Sequence, residues 1–206
     1  MRRRLIRTAI IIITSILALM AVSCWACTSR DAGAPELVFA VFGDSRGPLS
    51  GPPVSPVFDE VLERVNETDA SFCIHTGDFY VGAPGSEENS RWQANLFLER
   101  IERLEIPWYP VMGNHEADGL GWAVCQELVF EGKPTYYSFD VDNCHFVILD
   151  VYIPDAWTSL SPEQMAWLKD DLENTGKAHT FVFLHPPLYS VMEFSYSLVF
   201  NVETEV

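Results

Sequence analysis

From Leu37 onward, apolar residues fall in short runs separated by amphipathic stretches, the pattern of an α/β domain in which strands and helices alternate. The runs Leu37–Phe42, Ser71–His75, Trp108–Met112, His145–Leu149 and Thr180–Leu184 have strand length and are rich in Val, Ile and aromatic residues, so each predicts a strand. Helices are expected between them. Pro56–Asn66 repeats Val57, Val61 and Val65 at every fourth position, and Arg91–Leu104 puts Phe97, Ile101 and Leu104 on one face. The clearest helix follows Ser161, which caps it, with Pro162 in the first turn, Gln164 three residues after the cap and Gly176 at the far end. Tyr136–Asp140, the pair Asp142-Asn143 and the run from His145 read as an antiparallel hairpin, which makes the expected sheet mixed. The stretch Val81–Ser90, with Gly82, Gly85, Glu87 and Glu88, reads as a solvated turn, with the border of a substrate groove as the alternative.

Before Leu37 the pattern changes. Arg2, Arg3, Arg4 and Arg7 precede an apolar run from Ala9 to Val22, followed by Ser23 and Cys24. This is the layout of a secretory signal over residues 1–23, and the run falls short of the roughly 20 residues that cross a bilayer. Ala21-Val22-Ser23-Cys24 resembles a bacterial lipobox with Ala where Leu is usual, so two forms of leader fit: one lipidated at Cys24, or an ordinary cleaved or retained one. Either implies export to the periplasm or cell surface. Residues 24–35 read as a tether and 36–206 as the folded domain.

Composition narrows the function classes. The 206 residues carry 13 Lys+Arg against 29 Asp+Glu, a net charge of −16, and the leader takes four Arg and no acid with it. Such a field repels the phosphates of DNA and RNA, so nucleic-acid binding is not expected. With 48% hydrophobic residues there is ample material for a core. Export permits disulfides, which makes Cys125 with Cys144 a conceivable bridge, whereas Cys73 sits in an apolar run and reads as a buried thiol.

The chemistry lies in the residues at the end of each strand. Leu37–Phe42 runs into Gly43-Asp44-Ser45-Arg46, Ser71–His75 into Thr76-Gly77-Asp78, Trp108–Met112 into Gly113-Asn114-His115-Glu116, and Thr180–Leu184 into His185-Pro186. The carboxyl ends of strands are where open α/β sheets bind ligands, and four of them deliver carboxylate, amide or imidazole. One Gly-Asp alone is a common turn, but Gly-Asn-His-Glu arises by chance in fewer than about one chain in a thousand.

In this order the four segments resemble the calcineurin-like metallophosphoesterases, the superfamily that includes the purple acid phosphatases. The resemblance implies a metallophosphoesterase sandwich of mixed sheets flanked by helices. It also implies two divalent ions (Mn, Fe or Zn) held by Asp44, Asp78, Asn114 and His185, with Asp78 bridging them. His115 would give a proton to the leaving group of a small phosphomonoester or phosphodiester. Arg46 departs from the pattern, because it stands where the family usually has a metal-ligating His; a guanidinium has donors only, so two readings fit, a bidentate contact to substrate phosphate or a surface salt bridge. The family's later Gly-His-x-His has no counterpart after His185, which gives the expectation of a C-terminally incomplete second sheet. It also gives the competing reading of a non-catalytic remnant of the fold. A serine hydrolase using Ser45 or Ser190 lacks the nucleophile elbow that such enzymes build.

Overall fold

The structure, a computed structural model, describes residues 37–154, 156 and 158–187. The leader, the tether, Cys24, Cys27 and Ser190 lie outside the described residues. Two three-stranded sheets form the centre. In the first, β1 (Ala40–Phe42), β2 (Cys73–His75) and β3 (Trp108–Pro110) run parallel in that order, with Phe42, His75 and Pro110 level at their ends. In the second, β4 (Tyr137–Val141) pairs antiparallel with β5 (Cys144–Ile148), and β6 (His179–Phe183) pairs parallel with β5. The hairpin turns at Asp142, which takes a left-handed φ of 51°. The expected mixed character therefore belongs to the second sheet, while the first is wholly parallel.

The side-chain period of two along a strand sorts each sheet into two faces. From the first sheet Ile74 and the flanking Phe39 and Phe72 meet Phe139, Phe146 and Ile148 of the second. The rings interlock, with Phe72 edge-on to Phe146 at 5.1 Å and Tyr109 stacked on Phe139 at 3.8 Å. The opposite face of the first sheet carries Phe42 and His75 against a helical layer. That layer contains α1 (Phe58–Asn66), α2 (Glu87–Ile101), the short α3 (Asn114–Ala117) and α4 (Gly121–Leu128). On the far face of the second sheet lies α5 (Pro162–Asn174), where Trp167 meets Tyr136 and Asp171 meets His145.

Several expectations need correction. The buried stripe of α1 is Phe58, Leu62 and Val65, and Val57 is exposed, because the larger Phe and Leu take the core face. Helix α2 begins four residues earlier than Arg91, since Ser86 accepts from the Asn89 N–H and turns Glu87–Ser90 into helix rather than loop. Ser161 caps α5 as expected, but Gln164 does not reach back to the cap; it is buried and clasps Asp150 by two backbone hydrogen bonds of 3.0 and 2.7 Å. Gly176 does not end the helix either, because the chain leaves it at Thr175 in an extended conformation. Cys125 and Cys144 are free, buried thiols in separate apolar clusters, so the conceivable bridge is not made, and Cys73 is a buried free thiol as expected. Among the described residues no helix is long and apolar enough to cross a membrane.

Candidate metal centre

Three parallel strands ending level put three loops at one edge of the first sheet, and β6 delivers a fourth from the second sheet. The loops turn tightly. Gly77 has φ of 94° and Asp78 of 57°, while Asp44 at the end of β1 takes 54° itself; Asp is among the few non-glycine residues that accept this region readily. A side chain at Gly77 would lie 2.8 Å from the backbone of Gly113, so two glycines let the β2 and β3 loops touch.

Glu116 locks those loops together. Its fully buried carboxylate accepts the N–H groups of Gly113 at 2.7 Å, Asp78 at 3.0 Å and Phe79 at 3.2 Å. Burial, and then the neighbouring Asp78 carboxylate, push its pKa up to about 8 against the pull of the backbone donors. The sequence displayed Glu116 beside Asn114 and His115, yet nothing in it pointed to a role. Its function depends on the N–H groups of Asp78 and Phe79, from a loop distant in sequence, as well as that of Gly113 three residues before it.

Asp78 is the hub. Its Oδ1 accepts the His115 N–H at 3.1 Å and lies 3.5 Å from His185 Nε2. Its Oδ2 lies 3.1 Å from Arg46 Nε and 3.8 Å from His115 Nε2. His185 donates from Nδ1 to the Thr76 carbonyl at 2.7 Å, which leaves Nε2 of the neutral ring as a lone pair. That lone pair faces Asn114 Oδ1 at 3.1 Å and Asp78 Oδ1 at 3.5 Å. Imidazole nitrogen, amide oxygen and carboxylate oxygen thus converge. His115 donates from Nδ1 to the Val81 carbonyl at 2.7 Å, so the nitrogen left to exchange a proton is Nε2, on a side chain 21% exposed.

The structure therefore joins Arg46, Asp78, Asn114, His115 and His185 in one network. Asp44 is tied to it only through its backbone, which donates to the Gly77 carbonyl at 3.0 Å; its side chain is exposed and has no hydrogen-bond or ion-pair partner among the described residues. Nor, among the described residues, do three His, Cys, Asp or Glu side chains gather as a metal cage; the third polar group beside Asp78 and His185 is the Asn114 amide. Two concavities of about 450 and 430 Å³ lie elsewhere, one against Trp108 and Phe130, the other around His145, and neither includes a residue of the network.

Ser45 also has a histidine neighbour, but not one arranged for nucleophilic catalysis. The Gly77 N–H donates to His75 Nδ1, so Nε2 must carry the proton, and it gives it to Ser45 Oγ at 2.9 Å. Ser45 in turn donates to the Phe79 carbonyl. The imidazole has no lone pair to offer the hydroxyl, and burial lowers its pKa to about 3.

A family model described as Calcineurin-like phosphoesterase matches residues 37–202. Purple acid phosphatase 23 of Arabidopsis thaliana is 34% identical over 115 residues, which cover 48% of this chain and 24% of that protein. A probable cyclic nucleotide phosphodiesterase of a Synechococcus strain is 25% identical over 145 residues, covering 69% of this chain and 51% of that protein. The chain thus spans about a quarter to a half of the length of these relatives. Among solved structures, a dimetal phosphatase from Danio rerio superposes with a TM-score of 0.54 at 15% identity, covering 76% of this chain and 71% of that one. A purple acid phosphatase from yellow lupin gives 0.54 at 17%, covering 73% and 30%.

Proposed function

The chain belongs to the calcineurin-like phosphoesterase family, and from that premise we propose that it hydrolyses phosphoric esters at a divalent-metal centre built on Asp78, Asn114 and His185. One observation carries the reading. In the tautomer that the Nδ1–Thr76 bond selects, the lone pair of His185 Nε2 lies 3.1 Å from Asn114 Oδ1 and 3.5 Å from Asp78 Oδ1, a convergence of acceptors that a cation among them would complete. The backbone bond from His185 Nδ1 to Thr76 is the outer support that a ligating imidazole needs to hold its ring and tautomer. Oxygen and imidazole donors suit Mn, Fe or Zn.

When bound, a divalent ion supplies charge to offset the phosphoryl oxygens and makes water a nucleophile near neutral pH. The remaining work falls to the chain. His115 presents Nε2 at the solvent side of Asp78, where a protonated ring can give its proton to the departing alkoxide. Arg46 has donors left for a phosphoryl oxygen beyond the one on Asp78. Glu116 keeps the Asp78 and Asn114 loops in register. The resemblance implies a pair of ions sharing Asp78, and the fit differs between the two positions. Asp78 Oδ1, Asn114 and His185 suit one ion, whereas a second would rely on Asp44 and on Asp78 Oδ2, which already holds Arg46.

The substrate class is a small phosphomonoester or phosphodiester. Location outside the cytoplasm, with attachment through a lipid on Cys24 or through the leader, belongs to the same proposal and rests on residues 1–24 of the sequence. The mass of the mature N-terminal peptide checks it. For the activity, the full-length protein is supplied with Mn, Fe or Zn and assayed on chromogenic mono- and diesters beside an Asp78→Asn control. Metal-supported turnover well above the control is expected; none with any of the metals defeats the reading.

A further inference from the structure

The two oxygens of Asp78 face different neighbours. Oδ1 looks toward the converging acceptors of Asn114 and His185, where a cation is called for. Oδ2 looks toward Arg46, whose Nε lies 3.1 Å away. Arg46 is not a loose surface side chain. Its own backbone N–H donates to the Asp78 carbonyl at 3.0 Å, and it forms a β-bridge with Val54, whose neighbour Pro53 accepts the Gly47 N–H at 3.0 Å. Backbone and side chain both tie it to Asp78. A carboxylate this deeply buried is stable as an anion only with a partner, and on the Oδ2 side the guanidinium is that partner.

A metal ion on Oδ2 would have to take the place of Arg46 Nε and then sit beside the positive charge it had displaced. The one other carboxylate expected for that position, Asp44, is exposed and outside the network. We infer that Arg46 holds, as a built-in guanidinium, the position a second cation would occupy against Asp78, so that this chain binds one divalent ion at Asp78, Asn114 and His185. The anionic phosphoryl group then meets a metal on the Oδ1 side of Asp78 and fixed N–H donors on the Oδ2 side. Arg46 Nη2 has no partner among the described residues and Nη1 only a 3.4 Å approach to the Gly47 carbonyl, which leaves both for phosphoryl oxygens.

The inference rests on the proposed metal centre, and metal counting separates their failures. The full-length protein is stripped of metal and titrated with Mn, with stoichiometry read by calorimetry and the spin state by electron paramagnetic resonance. One ion per chain with the spectrum of an isolated ion is expected for the wild type, and two exchange-coupled ions for Arg46→His. Asn114→Ala should lose the single ion, while Asp44→Asn should change its affinity less than about threefold, well under one tenfold step in Kd. Two coupled ions in the wild type overturn the inference and leave the phosphoesterase reading intact. No ion in a folded wild type defeats both. An Arg46→His protein that still binds one ion, or loss of the ion in Asp44→Asn, removes Arg46 from the role.

Discussion

Among the histidines of this chain that lie near carboxylates, His145 and His185 differ most in what their ring nitrogens meet. His145, on β5, donates from Nδ1 to Asp140 and from Nε2 to Asp171, both at 2.8 Å. Ser138 donates to the second oxygen of Asp171, and Lys177 stands 3.4 Å from Asp140. Every acceptor there meets a donor, so the cluster is closed and pins α5 to the second sheet. His185 has the same neighbours in kind, a carboxylate and a polar side chain, but its free nitrogen meets acceptors only. Saturation distinguishes scaffold from site more surely than residue type does, because a buried unsatisfied arrangement persists only where something else completes it.

The sharpest way to break the comparison is at its open end. Asp78→Asn keeps the size of the side chain and removes the charge that faces both Arg46 and the acceptor cluster. Turnover should fall by about 10²–10³-fold, the usual loss for one positioned electrostatic group, while thermal unfolding shows a folded protein. Glu116→Ala comes next. It orphans the N–H groups of Gly113, Asp78 and Phe79 in a fully buried place, at about 1–3 kcal/mol of stability measured by denaturant unfolding, and lets two loops drift so that activity falls with it. His145→Ala acts on the closed cluster. A loss of about 1–3 kcal/mol with turnover per folded molecule unchanged is expected; a large drop in turnover would erase the distinction between scaffold and site.

How much of this was written in the sequence depends on the reach of each interaction. The strand ends were legible because short apolar runs stop at Gly-Asp or Gly-Asn-His-Glu, and those segments fall on one edge as expected. The phase of α1 was misread because three valines repeat at every fourth position while Phe58 and Leu62, one residue on, bury more surface. Helices α3 and α4 were invisible: one has four residues, and the other opens on Gly121 with no capping side chain. The tasks of Glu116 and Gln164 were illegible in principle, since each binds backbone groups of a segment brought close only by the fold. Arg46 on Asp78 belongs with them, across 32 residues of sequence.

The smallest effect tests the comparison through pH. Burial works against a charge on His145, but the hydrogen bonds to Asp140 and Asp171, with their negative charges, outweigh it and hold its pKa above the ordinary value. Asp140 comes from β4, Asp171 and Asp170 from α5 and Lys177 from the segment before β6, so carboxylates outnumber the one cation around the ring. The folded state then binds a proton more tightly than the unfolded chain. Its stabilising contribution is complete below the ordinary histidine value of about 6.5 and fades as pH rises through the folded value. His75 has the opposite sign. With its pKa lowered to about 3, it stays neutral in the fold while the unfolded chain takes up a proton below about 6.5, so stability is lost toward acid. Measuring unfolding free energy for wild type and His145→Gln at about pH 5.5 and about pH 9, where only the proton on His145 differs between the proteins, isolates the first contribution. The wild-type advantage should be larger at the acid point by up to about 1 kcal/mol. An equal advantage at both would mean that the folded ring holds its proton no more tightly than the unfolded chain does, and a smaller advantage at the acid point would mean that it stays neutral between its two carboxylates, leaving the cluster on β5 as unsatisfied as the one around His185.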